Sequence, residues 1–142
     1  MANSLFSPAR EGFLIGEINW STATIKAALV RSYVLNTAHK FVSDVTTAGG
    51  EIVATTAALA GKTHTGGIAD ADDSTFGMVS TGSACNVILL YQSSAVGGGA
   101  DVGDTAQRLI AYIDSATNLP VTPNGGEITL AWSSGSDKIF RI

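Results

Sequence analysis

Charged residues are scarce in this chain. Only 14% of the 142 residues are Asp, Glu, Lys or Arg, while 45% are hydrophobic; an average soluble domain has about 25% charged residues. The eight Lys and Arg residues are scattered singly and the formal net charge is −4. The chain therefore lacks the clustered cations that neutralise nucleic-acid phosphates, and we expect no nucleic-acid partner. So little charge indicates a surface that is covered by neighbouring proteins.

Long apolar runs are also missing. No stretch approaches the roughly 20 consecutive apolar residues that a membrane-spanning helix needs, so we expect no membrane partner. The longest runs, such as residues 87–91, have the length of a strand. The first eight residues lack a basic segment followed by an apolar core, which predicts that no secretion signal is cleaved and that the protein is made in a cytoplasm.

Residues that bind metals or perform catalysis are few. Cys85 is the only cysteine, which excludes an intramolecular disulfide and a zinc site built on several thiolates; it precedes an apolar strand, so we expect it in the core. His39 and His64 have no carboxylate or thiol close in sequence that would mark a metal pair or a catalytic base. The acidic residues 70–73 lack the spacing of a calcium loop and are interpreted as a solvated turn. We expect no metal and no cofactor.

Enzyme motifs are absent from the sequence. No Gly-x-Ser-x-Gly occurs, and residues 81–85 come nearest but lack the second glycine. The glycine-rich residues 96–100 and 124–126 lack the lysine of a phosphate-binding loop and the glycine spacing of a dinucleotide site, so they are interpreted as flexible turns. A Ser, His and Asp triad assembled across the fold stays open as an alternative. The sequence favours a protein that is not an enzyme.

Strand patterns separated by glycine and other small residues dominate what is present. They predict that residues 1–142 form one mainly-β domain, an antiparallel β-sandwich or barrel of about eight strands. A short N-terminal helix is predicted with Ser7 as N-cap, Pro8 in the first helical position and Gly16 at its end. Its last residues, 13–15, are expected to anchor it to the body of the domain.

The prediction pairs several strands with the strand that is next to them in the sequence. Two hairpins are expected, one between residues 17–20 and 24–31 and one between residues 127–132 and 138–142. Residues 87–91 show no alternation, which predicts a central strand that is covered on both faces. The remaining segments are predicted as a single helical turn at residues 37–45, loops at residues 66–73 and 93–104, and strands at residues 51–59, 74–79, 86–92 and 108–114.

Three side chains are candidates for a protein interface. Phe6 and Tyr33 lie in segments with weak structure signals, and Leu5 precedes Phe6 in an N-terminal arm, residues 2–8. Because a terminus stays disordered unless something ties it down, we expect Leu5 and Phe6 to anchor the arm on a neighbouring subunit. The alternative is that both side chains cover the domain's own core.

Most of the chain resembles a group of small virion proteins of tailed bacteriophages. The recurring pattern of that group is matched by residues 9–14, 16–20, 25–30, 39–45, 109–114, 119–126 and 139–140. The resemblance implies a virion component without enzymatic activity that is made in the host cytoplasm and contacts the major capsid protein or tail proteins, and we expect it to be a homo-oligomer. No functional residues are carried over.

The resemblance leaves the position in the virion open. A capsid decoration, or cement, protein that ties neighbouring capsomers together is the first hypothesis, and a tail, neck or baseplate component is the second. A receptor- or carbohydrate-binding module is a third, because β-sandwiches build sugar sites from exposed aromatic side chains with Asp and Asn on loops. Trp20 with Asn19, and Trp132 beside residues 133–137, are the candidates for such a site.

Overall fold

The secondary structure is mainly β, as the sequence predicts. The computed structural model describes residues 4–115 and 119–142. In chain order its elements are β1 (Ser4–Leu5), α1 (Ser7–Ile15), β2 (Ile25–Arg31), α2 (Val42–Thr47), β3 (Glu51–Thr55), β4 (Ile68–Ala69), β5 (Ser74–Met78), β6 (Val87–Gln92), β7 (Ser94–Ala95), β8 (Gly98–Asp101), β9 (Arg108–Ile113), β10 (Glu127–Leu130) and β11 (Phe140–Arg141).

A five-stranded sheet with the order β1-β9-β6-β2-β3 forms the centre of the fold. Three two-stranded sheets, β10-β5, β11-β4 and β7-β8, complete the described part of the chain. Every pair of neighbouring strands is antiparallel. The predicted antiparallel fold with a short N-terminal helix is confirmed. The additional strands are short segments, among them β7 and β8 in the stretch that was predicted to be a loop.

The core is centred on β6. Every residue of β6 and of its neighbour β9 is buried, and in β2 only the first and last polar residues, Lys26 and Arg31, are partly exposed. Both faces of the sheet are therefore covered at its centre, which confirms the prediction for residues 87–91. Cys85 is fully buried beside β6 in the same apolar cluster, as expected.

Helix α1 begins and ends close to the predicted positions. The predicted N-cap, Ser7, is wrong by one residue: Phe6 occupies the N-cap and Ser7 is the first helical residue. Pro8 lies in the first turn, where a missing N–H costs nothing. At the other end Gly16 has a φ of 78°, and its N–H donates to the Gly12 carbonyl. Glycine adopts this left-handed conformation without strain, so the helix ends here.

The hairpin predicted between residues 17–20 and β2 is wrong. Residues 17–20 form no strand, because the N–H groups of Glu17 and Ile18 donate to the Gly12 carbonyl and the buried side chain of Gln92 bonds two further backbone groups. The Gln92 amide nitrogen donates to the Glu17 carbonyl at 2.9 Å, and the Asn19 N–H donates to the Gln92 amide oxygen at 3.0 Å. The segment is thus held at the end of β6.

The hairpin predicted at the C-terminal end is also wrong. Strand β10 pairs with β5, and β11 pairs with β4. The pairing of β11 with β4 places the Phe140 ring against Trp20 and Phe13, where it is buried. Burying a phenylalanine is worth about 1.5–3 kcal/mol, so tertiary packing overrides the local turn signal. Strand β3 also ends earlier than predicted, at Thr55.

The burial of Leu89 in β6 gives a direct test of the core. Replacing Leu89 by Ala is expected to lower the free energy of unfolding by about 2–5 kcal/mol, because the cavity is surrounded by covered strands. Val34→Ala, at a side chain that is 85% exposed, is the control and should change it by less than about 0.5 kcal/mol. Equal effects of the two substitutions in urea denaturation would contradict the assignment of Leu89 to the core.

Candidate functional site

A pocket of about 310 Å³ opens where the end of α1, the segment after it, β4 and β11 meet. The apolar residues of its lining are Phe13, Ile18, Trp20, Ala69, Phe140 and Ile142. We call it the Trp20 pocket. None of the described residues that line it is Asp, Glu, Lys or Arg, so the pocket is suited to an uncharged, apolar group.

The aromatic residues of the pocket pack against one another. The rings of Trp20 and Phe140 meet edge to face with their centroids 5.3 Å apart, and Phe13 lies 6.1 Å from Phe140. This geometry is favourable for aromatic pairs. The Trp20 indole N–H donates to the Thr63 carbonyl at 3.0 Å, and only 6% of the residue is exposed. Trp20 therefore closes the pocket but offers little open face for stacking.

Polar residues complete the lining of the pocket. The Asn19 side-chain oxygen accepts the N–H groups of Ser21 and Thr22 at 2.9 and 3.0 Å, which forms a tight turn. The amide nitrogen of Asn19 has no acceptor among the described residues and remains available as a donor. Ser21 and His64 also line the pocket.

Arg108 fixes the helix beside the pocket. This side chain is only 5% exposed; its guanidinium pairs with the Glu17 carboxylate and donates to the Pro8 carbonyl at 2.7 Å. A Cβ on Gly12 would lie 2.7 Å from both the Arg108 guanidinium and the Ile18 side chain. Glycine at this position is therefore required for Arg108 and Ile18 to approach the helix.

The candidate interface residues Leu5, Phe6 and Tyr33 are all buried within this chain. Leu5 pairs with Ala111 across β1 and β9, and the Phe6 ring is fully buried. The structure therefore does not place them on the surface of the single chain. The burial of Leu5 and Phe6 agrees with the alternative that they cover the domain's own core, and their role in an interface stays a prediction.

Tyr33 makes specific contacts in its buried position. Its hydroxyl lies 2.7 Å from Nδ1 of His39, and the two rings are stacked at 5.8 Å. Burial raises the pKa of the Tyr33 hydroxyl, so the tyrosine stays protonated at neutral pH. The partner of His39 is thus Tyr33, which a search for nearby carboxylates and thiols in the sequence does not find.

The thiol of Cys85 is also affected by burial. Burial raises the pKa of this thiol, which keeps it a weak nucleophile.

The acidic turn at residues 70–73 holds a tryptophan in place. The Trp132 backbone N–H donates to the Asp73 carboxylate at 2.9 Å, and its indole N–H donates to the Asp72 carbonyl at 3.2 Å. Within residues 4–115 and 119–142, no three His, Cys, Asp or Glu side chains are grouped to hold a metal ion. Trp132 does not line the Trp20 pocket, so the two predicted sugar-binding positions are separate.

Large apolar side chains are exposed at the end of α1 and at Ile142, which lines the Trp20 pocket. Leu14 is 87%, Ile142 68% and Ile15 58% exposed. The expectation that residues 13–15 all anchor the helix is therefore wrong for Leu14 and Ile15. Successive helical residues point about 100° apart, so three consecutive apolar residues cannot share one buried face. From this spacing, the sequence alone indicates that some apolar residues at the end of α1 are exposed.

A second concavity of about 700 Å³ lies beside β1 and residues 133–141. Ser4 and Ser115, which line it, adjoin residues 1–3 and 116–118, and these lie outside the described residues. Arg10, Lys138 and Arg141 also line it, which gives this concavity a more polar character than the Trp20 pocket.

Comparison of the chain with protein-family models, curated proteins and solved structures gives no match. In the described part of the chain, neither helix has the length and apolar character required to cross a membrane.

Removal of residues 2–6 tests the role of the N-terminal arm. We expect the truncation to lower the free energy of unfolding by at least about 3 kcal/mol, because it deletes the buried Phe6 and the pairing of β1 with β9. Phe6→Leu keeps most of the apolar volume and should cost clearly less. An unchanged melting temperature after truncation would contradict the core role and favour the interface role.

Glu17→Gln tests whether Arg108 holds α1 through a charge pair. We expect the free energy of unfolding to fall by about 1–3 kcal/mol, because the buried guanidinium loses its carboxylate. The loss should stay below that of a fully buried pair, since the Glu17 side chain is half-exposed. Asp101→Asn, which removes a surface ion pair with Lys26, is the control and should lower the free energy of unfolding by less. A larger loss for Asp101→Asn than for Glu17→Gln in thermal denaturation would contradict the role of the Arg108–Glu17 pair.

Proposed function

We propose that this chain is a non-enzymatic structural subunit of a tailed-phage virion, and that it acts as a capsid decoration protein which stabilises the shell through contacts between subunits. The observation that carries the proposal is the exposure of large apolar side chains at the end of α1 and at Ile142, on a chain whose core is otherwise well covered. The resemblance in the sequence supplies the virion context.

The exposed apolar side chains support a role in assembly. Large exposed apolar patches are rare on monomeric proteins and mark sites of contact with other proteins. Leu14 and Ile15 end α1, and Ile142 lines the Trp20 pocket. With only 14% charged residues in the chain, little charge is available to keep this surface apart from a partner.

The chemistry of the Trp20 pocket favours contact over catalysis. Its described lining contains the hydroxyl of Ser21 and the imidazole of His64, but no carboxylate that would orient the imidazole as a base. His39 lies elsewhere and is engaged by Tyr33. A mainly apolar lining with a few polar groups is typical of a binding surface.

The sugar-binding alternative receives less support from the geometry. Sugar sites use open aromatic faces, whereas Trp20 is buried against Phe140 and its indole N–H is bonded to Thr63. The indole N–H of Trp132 is bonded to the acidic turn. Exposed apolar side chains suit a tail, neck or baseplate component equally well. The position of the chain in the particle distinguishes that alternative from a decoration protein.

Purified virus particles provide the test. We expect quantitative mass spectrometry of intact particles to find this chain in a fixed ratio to the major capsid protein, and cryo-electron microscopy to place it on the outer shell. Particles that lack the chain after purification would contradict a virion role. Density in the tail would contradict the decoration role and support the tail alternative.

A further inference from the structure

We propose that the concavity beside β1 and residues 133–141 is a docking surface for an acidic peptide segment of a partner protein, whose carboxylates meet Arg10, Lys138 and Arg141. We call this concavity of about 700 Å³ the Arg10 concavity. The inference rests on the proposed function, because it adds a charged contact to a protein that is argued to act in assembly. Neither Leu14 nor Ile142 lines the Arg10 concavity, so this contact is separate from the exposed apolar side chains.

The fold gathers cations that are scattered along the sequence. Arg10 lies in α1, Arg141 lies in β11 and Lys138 precedes β11, yet all three line the same concavity. They are three of only eight Lys and Arg residues in a chain with a formal net charge of −4. Asp137 is the one acidic residue in the described part of the lining. The Arg10 concavity is therefore a positively charged surface on an acidic chain.

Two of the three cations have no counter-charge. Within residues 4–115 and 119–142, neither Arg10 nor Lys138 forms an ion pair, and residues 1–3 and 116–118 contain no Asp or Glu. Nε of Arg141 lies 3.3 Å from the Asp137 carboxylate, but more than half of each side chain is exposed. Exposed pairs of this kind contribute little, so an incoming carboxylate can compete for Arg141 and meets uncompensated charge at the other two.

The backbone at Lys138 has a conformation that lysine rarely adopts. Its φ is 49°, in the left-handed region that favours glycine. The Lys138 N–H donates to the Gly135 carbonyl at 3.2 Å, and the Gly135 N–H donates to the Ser133 hydroxyl at 3.0 Å. Because glycine fits such a turn without strain, a lysine here indicates a use for its side chain.

The other residues of the lining suit a carboxylate that is attached to a longer chain. The Ser133 oxygen accepts the Gly135 N–H, which leaves the hydroxyl proton of Ser133 to be donated to an anion. Buried apolar residues of β1 and β9, among them Leu5 and Ile113, also line the concavity. Charge-assisted hydrogen bonds from Arg and Lys to carboxylates are strong. Recognition of acidic motifs by clustered arginines is a recurring mode of peptide binding.

A peptide fits the Arg10 concavity better than a nucleic acid does. Duplex DNA carries one charge for about every 1.7 Å of its axis, and the net charge of −4 repels such a polyanion outside the concavity. The aromatic residues of the lining, Tyr112 and Phe140, are buried and offer no open ring face for bases. A short acidic segment places its charges only where the cations lie.

Titration of the purified full chain with a peptide of alternating glutamate and glycine tests the surface. We expect saturable binding at low ionic strength, where exposed charges are weakly screened. In NMR spectra of the isotope-labelled chain, the shifts should change at residues 10, 133–138 and 141. A peptide with glutamine in place of glutamate is the control for charge and should bind about tenfold more weakly, because it loses several ion pairs.

Substitutions in the lining should change the affinity in opposite directions. We expect Arg10→Gln and Lys138→Asn each to raise the dissociation constant of the glutamate peptide by about two- to fivefold, the range of an exposed ion pair. Asparagine tolerates the left-handed backbone of residue 138. Asp137→Asn should tighten binding, because it removes the competitor for Arg141; damage to the fold would not do so. Lys40→Gln removes a cation outside the concavity and should leave binding unchanged.

The proposal is overturned if the glutamate peptide does not bind saturably, if Lys40→Gln weakens binding as much as Lys138→Asn, or if Asp137→Asn weakens it. Tighter binding of an oligonucleotide or of inorganic phosphate than of the peptide would also overturn it and assign the surface to another anion. Peptide binding by a chain that is absent from particles contradicts only the proposed function. A chain that is present on particles but does not bind the peptide contradicts only this inference.

Discussion

The buried guanidinium of Arg108 is the interaction on which the arrangement around the sheet depends. A charge that is removed from water is stable only when its hydrogen bonds are replaced and a counter-charge is near. Here the Pro8 carbonyl provides an acceptor and the Glu17 carboxylate the counter-charge, one at each end of α1, while the buried Nε of Arg108 has no hydrogen-bond partner in the described part of the chain. Because Arg108 belongs to β9, this requirement fixes the helix against the central sheet, and thereby places Phe13 and Ile18 at the Trp20 pocket.

Around the apolar core, several irregular segments have backbone groups that bond to polar side chains and not to a neighbouring strand. Gln92 bonds the backbone of residues 17 and 19, Asn19 closes the following turn, and Trp132 is bonded to the acidic turn. Such contacts satisfy buried or half-buried backbone groups without extending a sheet. They allow irregular segments to pack closely, and one consequence is a concave surface that regular strands would not form.

The combination of a covered core and an uncovered apolar patch is the basis of the functional proposal. The central strands contribute almost no accessible apolar surface, whereas the end of α1 and Ile142 do. Leu14 and Ile15 gain nothing from the fold of the single chain, so their burial is available to a partner.

The sequence by itself determined the local and strongly patterned features: the mainly-β class, the position of α1 to within one residue at its start and its end at Gly16, the doubly covered strand at residues 87–91 and the buried Cys85. Each depends on the preference of a few adjacent residues for one conformation or for burial. Tertiary structure alone decided the partners of β10 and β11, the loss of the strand at residues 17–20 and the burial of Leu5, Phe6 and Tyr33. These outcomes depend on groups distant in sequence, such as Gln92 for residue 17 and Trp20 for Phe140, whose contact energies exceed the local turn preferences that a sequence pattern records.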